Sequence, residues 1–255
     1  MMVLHRSMTN LTGRVALVTG SSRGIGAAIA RELAAHGAKV VVHGRDLTAL
    51  EDVRASLGAL AVTGDVTRAA DLTAMRTKIE AELGPVEILV ANAGGNPSPP
   101  VPIDELHEDV WRATIDGNLT ATFLTVQCFL AGMKQRGAGS IITMSSAAAR
   151  RAHPGSPIAY AAAKAAIELF TQDVAAQMGR YGIRANCIAP ETILTERNAQ
   201  RIPEATKAKL IAEHPLARLG TPEDVAHAVR FLVSDDAAWI TGIVVDVAGG
   251  AVLPR

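Results

Sequence analysis

Short apolar runs alternate along the chain with longer segments in which apolar residues recur at helical spacing. The first run, Val15 to Val18, is continuous, which is typical of a strand buried on both faces of a parallel sheet. Similar runs predict strands at 38–42, 60–63, 86–90, 140–144, 184–189 and 244–247, with helices between them that include 69–83 and 222–232. This alternation predicts an α/β fold with one doubly wound, seven-stranded parallel sheet flanked by helices on both faces.

Segments without this pattern are predicted to be loops or tails. Residues 95–102 are rich in proline and glycine and are expected to form a loop, and residues 191–220 are expected to be mobile. Residues 1–10 are expected to be a flexible tail, which leaves 11–255 as a single domain. The start lacks the apolar core of a signal peptide, and no later run approaches the roughly 18 apolar residues of a membrane span. We therefore expect a cytoplasmic protein without a membrane partner.

The composition fits one large domain and argues against several classes of function. Of the 255 residues, 49% are hydrophobic and 20% are charged, which suits a substantial core. The formal net charge is zero, so no overall basic field is present to attract nucleic acid. The two cysteines, Cys128 and Cys187, lie far apart and have no ligand spacing around them. Neither a disulfide scaffold nor a metal site is expected.

Three glycines lie between the first predicted strand and the helix that follows it. Gly20 can adopt a backbone conformation closed to other residues, Gly24 allows the main chain to approach a pyrophosphate, and Gly26 permits close packing of helix on strand. The N–H groups at the start of the helix would then face the phosphates. An ordinary glycine-rich turn is the alternative interpretation of this motif alone.

Tyr160 and Lys164 lie four residues apart in an alanine-rich helical segment. Residues at this spacing share a helix face, so the ammonium group is expected beside the phenol. A nearby positive charge favours the phenolate and lowers the tyrosine pKa from its ordinary value of about 10. Such a tyrosine can exchange a proton with a substrate oxygen. A surface tyrosine and a surface lysine are the alternative.

Together, the motifs resemble those of the classical short-chain dehydrogenase/reductase family over about residues 11 to 252. The resemblance rests on Thr-Gly-x-x-x-Gly-x-Gly at 19–26, Asn-Ala-Gly at 92–94 and Tyr-x-x-x-Lys at 160–164. It implies a single-domain Rossmann fold, a nicotinamide cofactor and chemistry on a CH–OH group or its carbonyl. The cofactor contacts that it implies are Gly20, Ser22, Arg23, Gly24, Ile25, Gly26, Arg45, Asp65, Val66, Asn92, Ala93, Gly94, Tyr160, Lys164, Pro190, Ile193 and Thr195.

The resemblance also implies a catalytic set of Asn118, Ser146, Tyr160 and Lys164. Asn118 matches an asparagine that holds a water in the family's proton relay, although a buried asparagine bonded to backbone is a common alternative. Ser146 matches the serine that binds the substrate oxygen. It lies fourteen residues before Tyr160, one more than is usual in the family, so Ser145 remains an alternative. Arg150 and Arg151 in the same loop are interpreted as solvated charges. The resemblance places Asp65 and Val66 against the adenine, and a turn residue is the alternative for Asp65.

The end of the second predicted strand bears on the type of cofactor. Gly44 stands where NAD-preferring relatives carry an aspartate, and Arg45 follows it. Arg45 and Arg23 could both reach the additional phosphate of NADP. We therefore expect NADP(H) to be preferred, with NAD(H) as the alternative. Asp46 counts against this expectation unless it caps the next helix.

The substrate and the assembly follow only from the resemblance. Similar family members include 3-oxoacyl-carrier-protein reductases, which dock an acidic carrier on arginines. Arg136 lies at one expected place, but the other holds Tyr181, with Arg180 beside it. A sugar, a cyclic ketone or another small hydroxy compound is the alternative substrate, and a nucleotide-binding module without turnover is the alternative function. A homotetramer is expected. Two departures are Glu191 in place of a glycine and Ala248 in place of an aspartate.

Overall fold

The computed structural model of the protein describes residues 10–153 and 155–252. The expected tail at 1–10 therefore lies, except for Asn10, outside the described residues, and the single domain at 11–255 stays a prediction. In the part of the chain that the structure describes, no helix combines the length and the apolar composition needed to cross a membrane.

The structure confirms the predicted sheet. In the described residues seven parallel strands pair in the order β3-β2-β1-β4-β5-β6-β7. Their bounds are β1 Val15–Val18, β2 Lys39–His43, β3 Leu60–Val62, β4 Ile88–Ala91, β5 Gly139–Met144, β6 Ile183–Pro190 and β7 Val244–Val247. The helices are α1 Gly24–Ala35, α2 Leu47–Leu57, α3 Ala69–Glu82, α4 Glu108–Ile115, α5 Ala121–Arg136, α6 Ile158–Met178, α7 Glu196–Arg201, α8 Glu204–Glu213 and α9 Pro222–Val233. The predicted strands differ from these bounds by at most two residues.

Two apolar layers hold the helices against the sheet. Successive residues of a strand point to opposite faces, so Val18 packs toward α1 and α9 while Leu17 packs toward α3 and α5. Both side chains are fully buried. Burial of a side chain of this size stabilises a fold by roughly 1.5–3 kcal/mol, which explains why the central strands are apolar throughout.

Residues 191–220, which are expected to be mobile, contain two short helices, α7 and α8. The segment is also tied back on itself, since Ile193 and Gly220 form a parallel bridge and Leu194 donates its N–H to the Gly220 carbonyl at 2.7 Å. Helices of six and ten residues are too short to show a clear periodic pattern, and Pro203 interrupts them.

The topology determines where a ligand can bind. The strand order reverses between β1, whose chain continues to β2 on one side, and β4, which lies on the other side. In open α/β sheets, ligands bind at the carboxyl ends of the strands beside such a switch point. The glycine-rich segment after β1 and the Asn-Ala-Gly segment after β4 both lie at this edge.

Candidate active site

A turn of residues 19–26, here called the glycine turn, connects β1 to α1. Gly20 and Gly24 have φ angles of 65° and 56°, which lie in the left-handed region that favours glycine. A Cβ on Gly26 would lie 2.3 Å from the Gly20 carbonyl oxygen, so only glycine fits there. Arg23 precedes α1 without capping it through its side chain. The N–H groups in the first turn of α1 are therefore suited to binding phosphate.

The segment after β4 is bonded directly to the glycine turn. The Asn92 amide donates to the carbonyls of Thr19 and Gly20 at 2.9 and 3.1 Å. The Thr19 hydroxyl accepts the N–H groups of Asn92 and Ala93, both at 3.0 Å. These bonds fix the two sides of the switch point. The Asn92 side chain is used to build the turn, and Ala93 and Gly94 bring backbone to the edge of the sheet.

The segment after β6 faces the glycine turn from the opposite side. Pro190 ends β6, and Ile193 is buried against the α1 side of the sheet. The Thr195 methyl group would lie 3.3 Å from a Cβ placed on Gly24. Side chain and glycine therefore lie close together at the start of α1. The segment 190–195 and the glycine turn are thus neighbours at this edge of the sheet.

A second turn, residues 64–67, follows β3 and is here called the acidic turn. Its Asp65 carboxylate accepts the N–H and the hydroxyl of Thr67 at 2.9 and 2.7 Å. The bond from the Thr67 N–H is the main cause of the lowered pKa of Asp65, and the charge of Arg45 lowers it further. Val66 is buried beneath the turn. The Asp65 side chain thus stabilises the turn at the carboxyl edge of the sheet, which is the role given above as the alternative to an adenine contact.

The two arginines expected at an NADP phosphate have different surroundings. Arg23 donates to the Asp46 carboxylate at 2.7 Å, and Asp46 also accepts the Ala49 N–H at 3.2 Å as the cap of α2. Asp46 is therefore a helix cap and an ion-pair partner at once. Arg45 is exposed and lies close enough to Asp65 to affect its pKa.

Tyr160 lies in the first turn of α6, and the Ser146 side chain lies near enough to its phenol to lower the phenol pKa. Ser146 follows β5 and accepts the Ala148 N–H at 3.2 Å. Burial has the larger effect and raises the pKa of Tyr160. The structure therefore brings the tyrosine and Ser146 together at the carboxyl end of the sheet.

Lys164 lies beside Tyr160 as the i,i+4 spacing predicts, with its Nζ 5.4 Å from the centre of the phenol ring. Its side chain is buried, and Nζ donates to the Met144 carbonyl at 2.8 Å. Burial lowers the pKa of Lys164 to about 8. The expectation that Lys164 lowers the Tyr160 pKa is not met in this structure, because burial of the phenol outweighs other influences and raises that pKa.

Asn118 occupies a single π-helical turn, residues 116–120, between α4 and α5. Its side chain accepts the Gly95 N–H at 3.0 Å and donates to the carbonyls of Gly95 and Thr114, both at 2.9 Å. Both amide hydrogens are therefore used by backbone, which is the arrangement given above as the structural alternative. π-Helical turns are frequent at functional sites because they displace main-chain groups from the regular helical bonding pattern.

Ser145 and Arg150 belong to a network of charges behind the site. The Ser145 hydroxyl donates to Glu168 at 2.7 Å and is buried. Arg150 binds Glu168 at 2.8 Å and Asp246 at 3.0 Å. Arg150 is thus exposed, as expected of a solvated charge, but it also forms two ion pairs that the sequence did not indicate. Its partners lie on α6 and β7, and no sequence signal brings residues 150, 168 and 246 together. Arg151 is exposed, as expected.

Sequence reasoning also missed His43, the last residue of β2. The side chain is buried and bonded to both the glycine turn and the acidic turn. A signal was available, because a titratable residue directly follows the apolar run 40–42 and precedes Gly44.

Two openings lie along this edge of the sheet. A small one is lined by Tyr160 and Ile158 together with residues of the 96–101 loop. A larger pocket of about 260 Å³ lies at the ends of β6 and β7, and its lining includes Glu191, Thr192, His214 and Ala248. Glu191 and Ala248, the two departures from the family pattern, thus face the same pocket.

The doubly wound sheet, the glycine turn at its switch point and the Tyr160–Ser146–Lys164 group define a nucleotide-dependent oxidoreductase. Comparison with known proteins supports the same class of enzyme. The family model described as "Enoyl-(Acyl carrier protein) reductase" matches residues 20–252. The chain belongs to the short-chain dehydrogenase/reductase family, and it is an enzyme that acts on CH–OH or carbonyl groups.

Relatives in this family act on different substrates. The chain is 36% identical to a cyclohexanol dehydrogenase of Rhodococcus sp. (strain TK6), over 94% of this chain and 96% of the relative. It is also 36% identical to the 3-oxoacyl-[acyl-carrier-protein] reductase FabG of Escherichia coli (strain K12), over 94% and 98%. A gluconate 5-dehydrogenase from Burkholderia cenocepacia J2315, solved in complex with NADP and tartrate, superposes with a TM-score of 0.88 at 34% identity, over 96% of this chain and 97% of that structure.

Proposed function

We propose that this protein is an NADP(H)-dependent oxidoreductase that interconverts a small ketone and its secondary alcohol. The observation that carries the proposal is the Lys164 ammonium 5.4 Å from the centre of the Tyr160 ring, with the Ser146 side chain near enough to the phenol to affect its pKa. The nicotinamide supplies or accepts the hydride when the cofactor is bound. The glycine turn and residues 190–195 would hold the cofactor between them.

Tyr160 acts as the proton donor in the direction of reduction. Its raised pKa keeps the phenol protonated at neutral pH, so a proton is available for the carbonyl oxygen. Ser146 holds the same oxygen and stabilises the negative charge that develops there. In oxidation the roles reverse, and the positive charge of Lys164 favours the phenolate. Asn118, whose side chain is bonded to backbone, positions the main chain of the π-helical turn, where a relay water could bind.

The preference for NADP(H) rests on charge. Arg45 projects beside the acidic turn and Arg23 beside the end of β2, and either guanidinium can make charge-assisted bonds to the 2′-phosphate. NADP in the B. cenocepacia structure supports the same preference. The test is a titration of NADPH and NADH into wild type and Arg45→Ala. We expect NADPH to bind more tightly to wild type and to lose most of that advantage in the variant, and equal affinities in wild type would contradict the preference.

A reductase of 3-oxoacyl thioesters on an acidic carrier is the second candidate. It is favoured by a basic cluster at the ends of α5 and α6: Lys134 lies 4.4 Å above the Tyr181 ring, and Arg180 donates to the Tyr181 hydroxyl at 2.8 Å. However, the Arg136 guanidinium is bonded to the Val86 carbonyl at 2.7 Å. Because α5 has 16 residues at about 1.5 Å each, the cluster lies roughly 24 Å from Asn118, at the opposite edge of the sheet.

The distance between the two edges favours the small ketone. A carrier docked at the basic cluster would have to deliver its acyl chain across this distance, whereas a small ketone needs no docking surface there. We propose a homotetramer in which the helices that contain Asn118 and Tyr160 pair across one two-fold axis and the C-terminal strand forms another interface. Exposed Phe123 and Leu169 support the first contact, and fully exposed Trp239 supports the second. Light scattering that returned the mass of a monomer would contradict this assembly.

A substrate panel with a matched pair of variants tests the proposed function. Wild type is assayed with NADPH and NADH against a cyclic ketone, a keto sugar acid, a 3-oxoacyl thioester and an enoyl thioester. Tyr160→Phe should bind NADPH but lose about 10²–10⁴-fold in turnover. The control is Tyr181→Phe, which removes the other tyrosine and should keep full activity on a small ketone. Nucleotide binding without turnover on any substrate would instead favour the non-catalytic module.

A further inference from the structure

The imidazole of His43 bridges the two turns that flank the nucleotide edge. The Nδ1 atom accepts the Gly20 N–H at 3.1 Å, and Nε2 lies 3.0 Å from the Gly64 carbonyl oxygen. A backbone N–H can only donate and a carbonyl can only accept, so both bonds form only when the ring is neutral and its hydrogen is on Nε2. The side chain is 3% exposed, which leaves no solvent to replace either partner.

The backbone of His43 reinforces this bridge. Its N–H donates to the Ser21 hydroxyl at 2.9 Å, and its carbonyl accepts the Ser21 N–H at 2.8 Å. The Ser21 hydroxyl in turn donates to the Val18 carbonyl at 2.7 Å. His43 is therefore bonded to the glycine turn at three points. To the acidic turn, the described residues show one hydrogen bond from His43, and it is made by the ring. Without the ring, the separation of the two turns loses a direct constraint.

The surroundings of the ring favour its neutral form. Burial is the main cause that lowers the pKa of His43, the bond to Gly64 opposes it, and the charge of Arg45 lowers the pKa further. Asp65 in the acidic turn acts in the opposite direction. Arg45 at the end of β2 and Asp65 after β3 are the charged groups that act on the ring. A second ring hydrogen would point at the Gly20 N–H and break the first bond.

We propose that His43 is a positioning residue for the nucleotide, and that its neutral ring sets the spacing between the glycine turn and the acidic turn. The proposal rests on the proposed function, in which the glycine turn holds the phosphates and the acidic turn borders the adenine. Loss of the ring moves the two turns relative to each other and weakens nucleotide binding. Hydride transfer is unaffected once the cofactor is bound, because Tyr160 and Ser146 lie on other elements.

The test compares His43→Gln with wild type, because a glutamine amide can reach only one of the two turns. His227→Gln, at an exposed position of α9, is the matched control. The dissociation constant of NADP⁺ is measured calorimetrically, kcat is measured at saturating cofactor, and thermal melting shows that each variant is folded. We expect His43→Gln to weaken binding about tenfold, the effect of losing one or two hydrogen bonds, while kcat changes less than twofold. The control should match wild type.

Acidification gives a second readout that a merely structural role would not move. Protonation of the wild-type ring would break its bond to the Gly20 N–H, so at the pH where the ring takes up a proton the affinity ratio between wild type and His43→Gln should shrink toward about twofold. Titration of the 2′-phosphate itself is common to both proteins and cancels in the ratio. Equal affinities at pH 7.5 or a parallel loss of kcat would overturn the proposal for His43. If wild type bound neither nucleotide, the proposed function itself would fail.

Discussion

Arg23 and Asp46 form an ion pair of 2.7 Å between the start of α1 and the start of α2. Arg23 belongs to the glycine turn and Asp46 follows directly after Arg45, so a carboxylate lies where the phosphate of NADP is expected to bind. It competes with that phosphate for the Arg23 guanidinium and repels it as well. Removal of this negative charge should therefore strengthen the preference for NADP(H).

The variant Asp46→Asn tests this competition. Asparagine caps helices as well as aspartate, so the bond to Ala49 and the start of α2 are kept. An exposed charge interaction is worth up to about 1 kcal/mol, so NADPH should bind about three- to fivefold more tightly, while NADH changes less than twofold. Asp52→Asn, an exposed acid on the same helix, is the control. Weaker or unchanged binding of NADPH to Asp46→Asn would contradict this role of Asp46.

Gly44 leads to a prediction about the exchange of cofactor preference. A Cβ on Gly44 would lie 2.9 Å from the Ser22 Cβ and 3.1 Å from its hydroxyl. Gly44→Asp alone, the exchange that should favour NAD, is therefore expected to displace the glycine turn and weaken both cofactors. The double variant Ser22→Gly/Gly44→Asp should recover NADH binding and keep NADPH weak.

A double-mutant cycle tests this prediction. The dissociation constants of NADPH and NADH are measured for wild type, Ser22→Gly, Gly44→Asp and the double variant. The two sites should show a favourable coupling for NADH. If Gly44→Asp alone bound NADH as tightly as the double variant does, steric contact with Ser22 would not limit the exchange.

The sequence alone predicts the structural features that depend on the pattern of neighbouring residues. Val15 to Val18 are apolar at every position because both faces of β1 are buried, and Tyr160 and Lys164 share a face because they lie four apart in one helix. Contacts made by distant segments are different. Arg23 meets Asp46 only because β2 pairs beside β1, and Arg150 meets Asp246 only because its loop crosses to β7.

The electrostatic surroundings of the site residues could not be predicted from the sequence either. The spacing of Tyr160 and Lys164 predicts that they are neighbours, but it does not reveal that Lys164 is buried and Tyr160 half-buried. Burial, rather than mutual attraction, is the main cause of both of their pKa shifts. The role of the Asn118 side chain likewise depends on Gly95, which is 23 residues away and reaches it only through the π-helical turn.

We expect the buried Lys164 side chain to lower the free energy of unfolding of the protein. Its pKa falls from the ordinary 10.5 to about 8 on folding, so the unfolded chain binds the proton more tightly. At 1.36 kcal/mol per unit, the buried ammonium destabilises the fold by about 3 kcal/mol at pH 7. Lys164→Met removes this penalty but leaves the Met144 carbonyl without its donor, at about 1 kcal/mol. We expect a net gain of about 1–2 kcal/mol, or roughly 2–6 °C in melting temperature, together with the loss of turnover and weaker NADPH binding.

The sign of this effect gives it a pH dependence. Between pH 8 and 10.5 the unfolded state holds more protons at this site than the folded state, so the wild-type penalty decreases as pH rises through that window. The advantage of Lys164→Met in melting temperature should decrease over the same range. Lys78→Met is the control, because Lys78 also donates to a carbonyl, that of Ala61 at 3.2 Å, but is exposed. A wild type more stable than Lys164→Met at pH 7 would contradict the prediction.

The last prediction separates Ser146 from Ser145. The Ser146 side chain lies near enough to the Tyr160 phenol to affect its pKa, whereas the Ser145 hydroxyl is buried and donates to Glu168. Ser146→Ala should lower kcat at saturating cofactor by about 10²–10³-fold, the effect of removing one donor to a developing oxyanion, and should change the melting temperature little. Ser145→Ala should instead lower stability by about 1–3 kcal/mol, because Glu168 loses a buried donor, and should keep kcat within a few-fold. Turnover and thermal unfolding are measured on both variants. The opposite pattern, with Ser145→Ala inactive and Ser146→Ala active, would assign the substrate oxygen to Ser145.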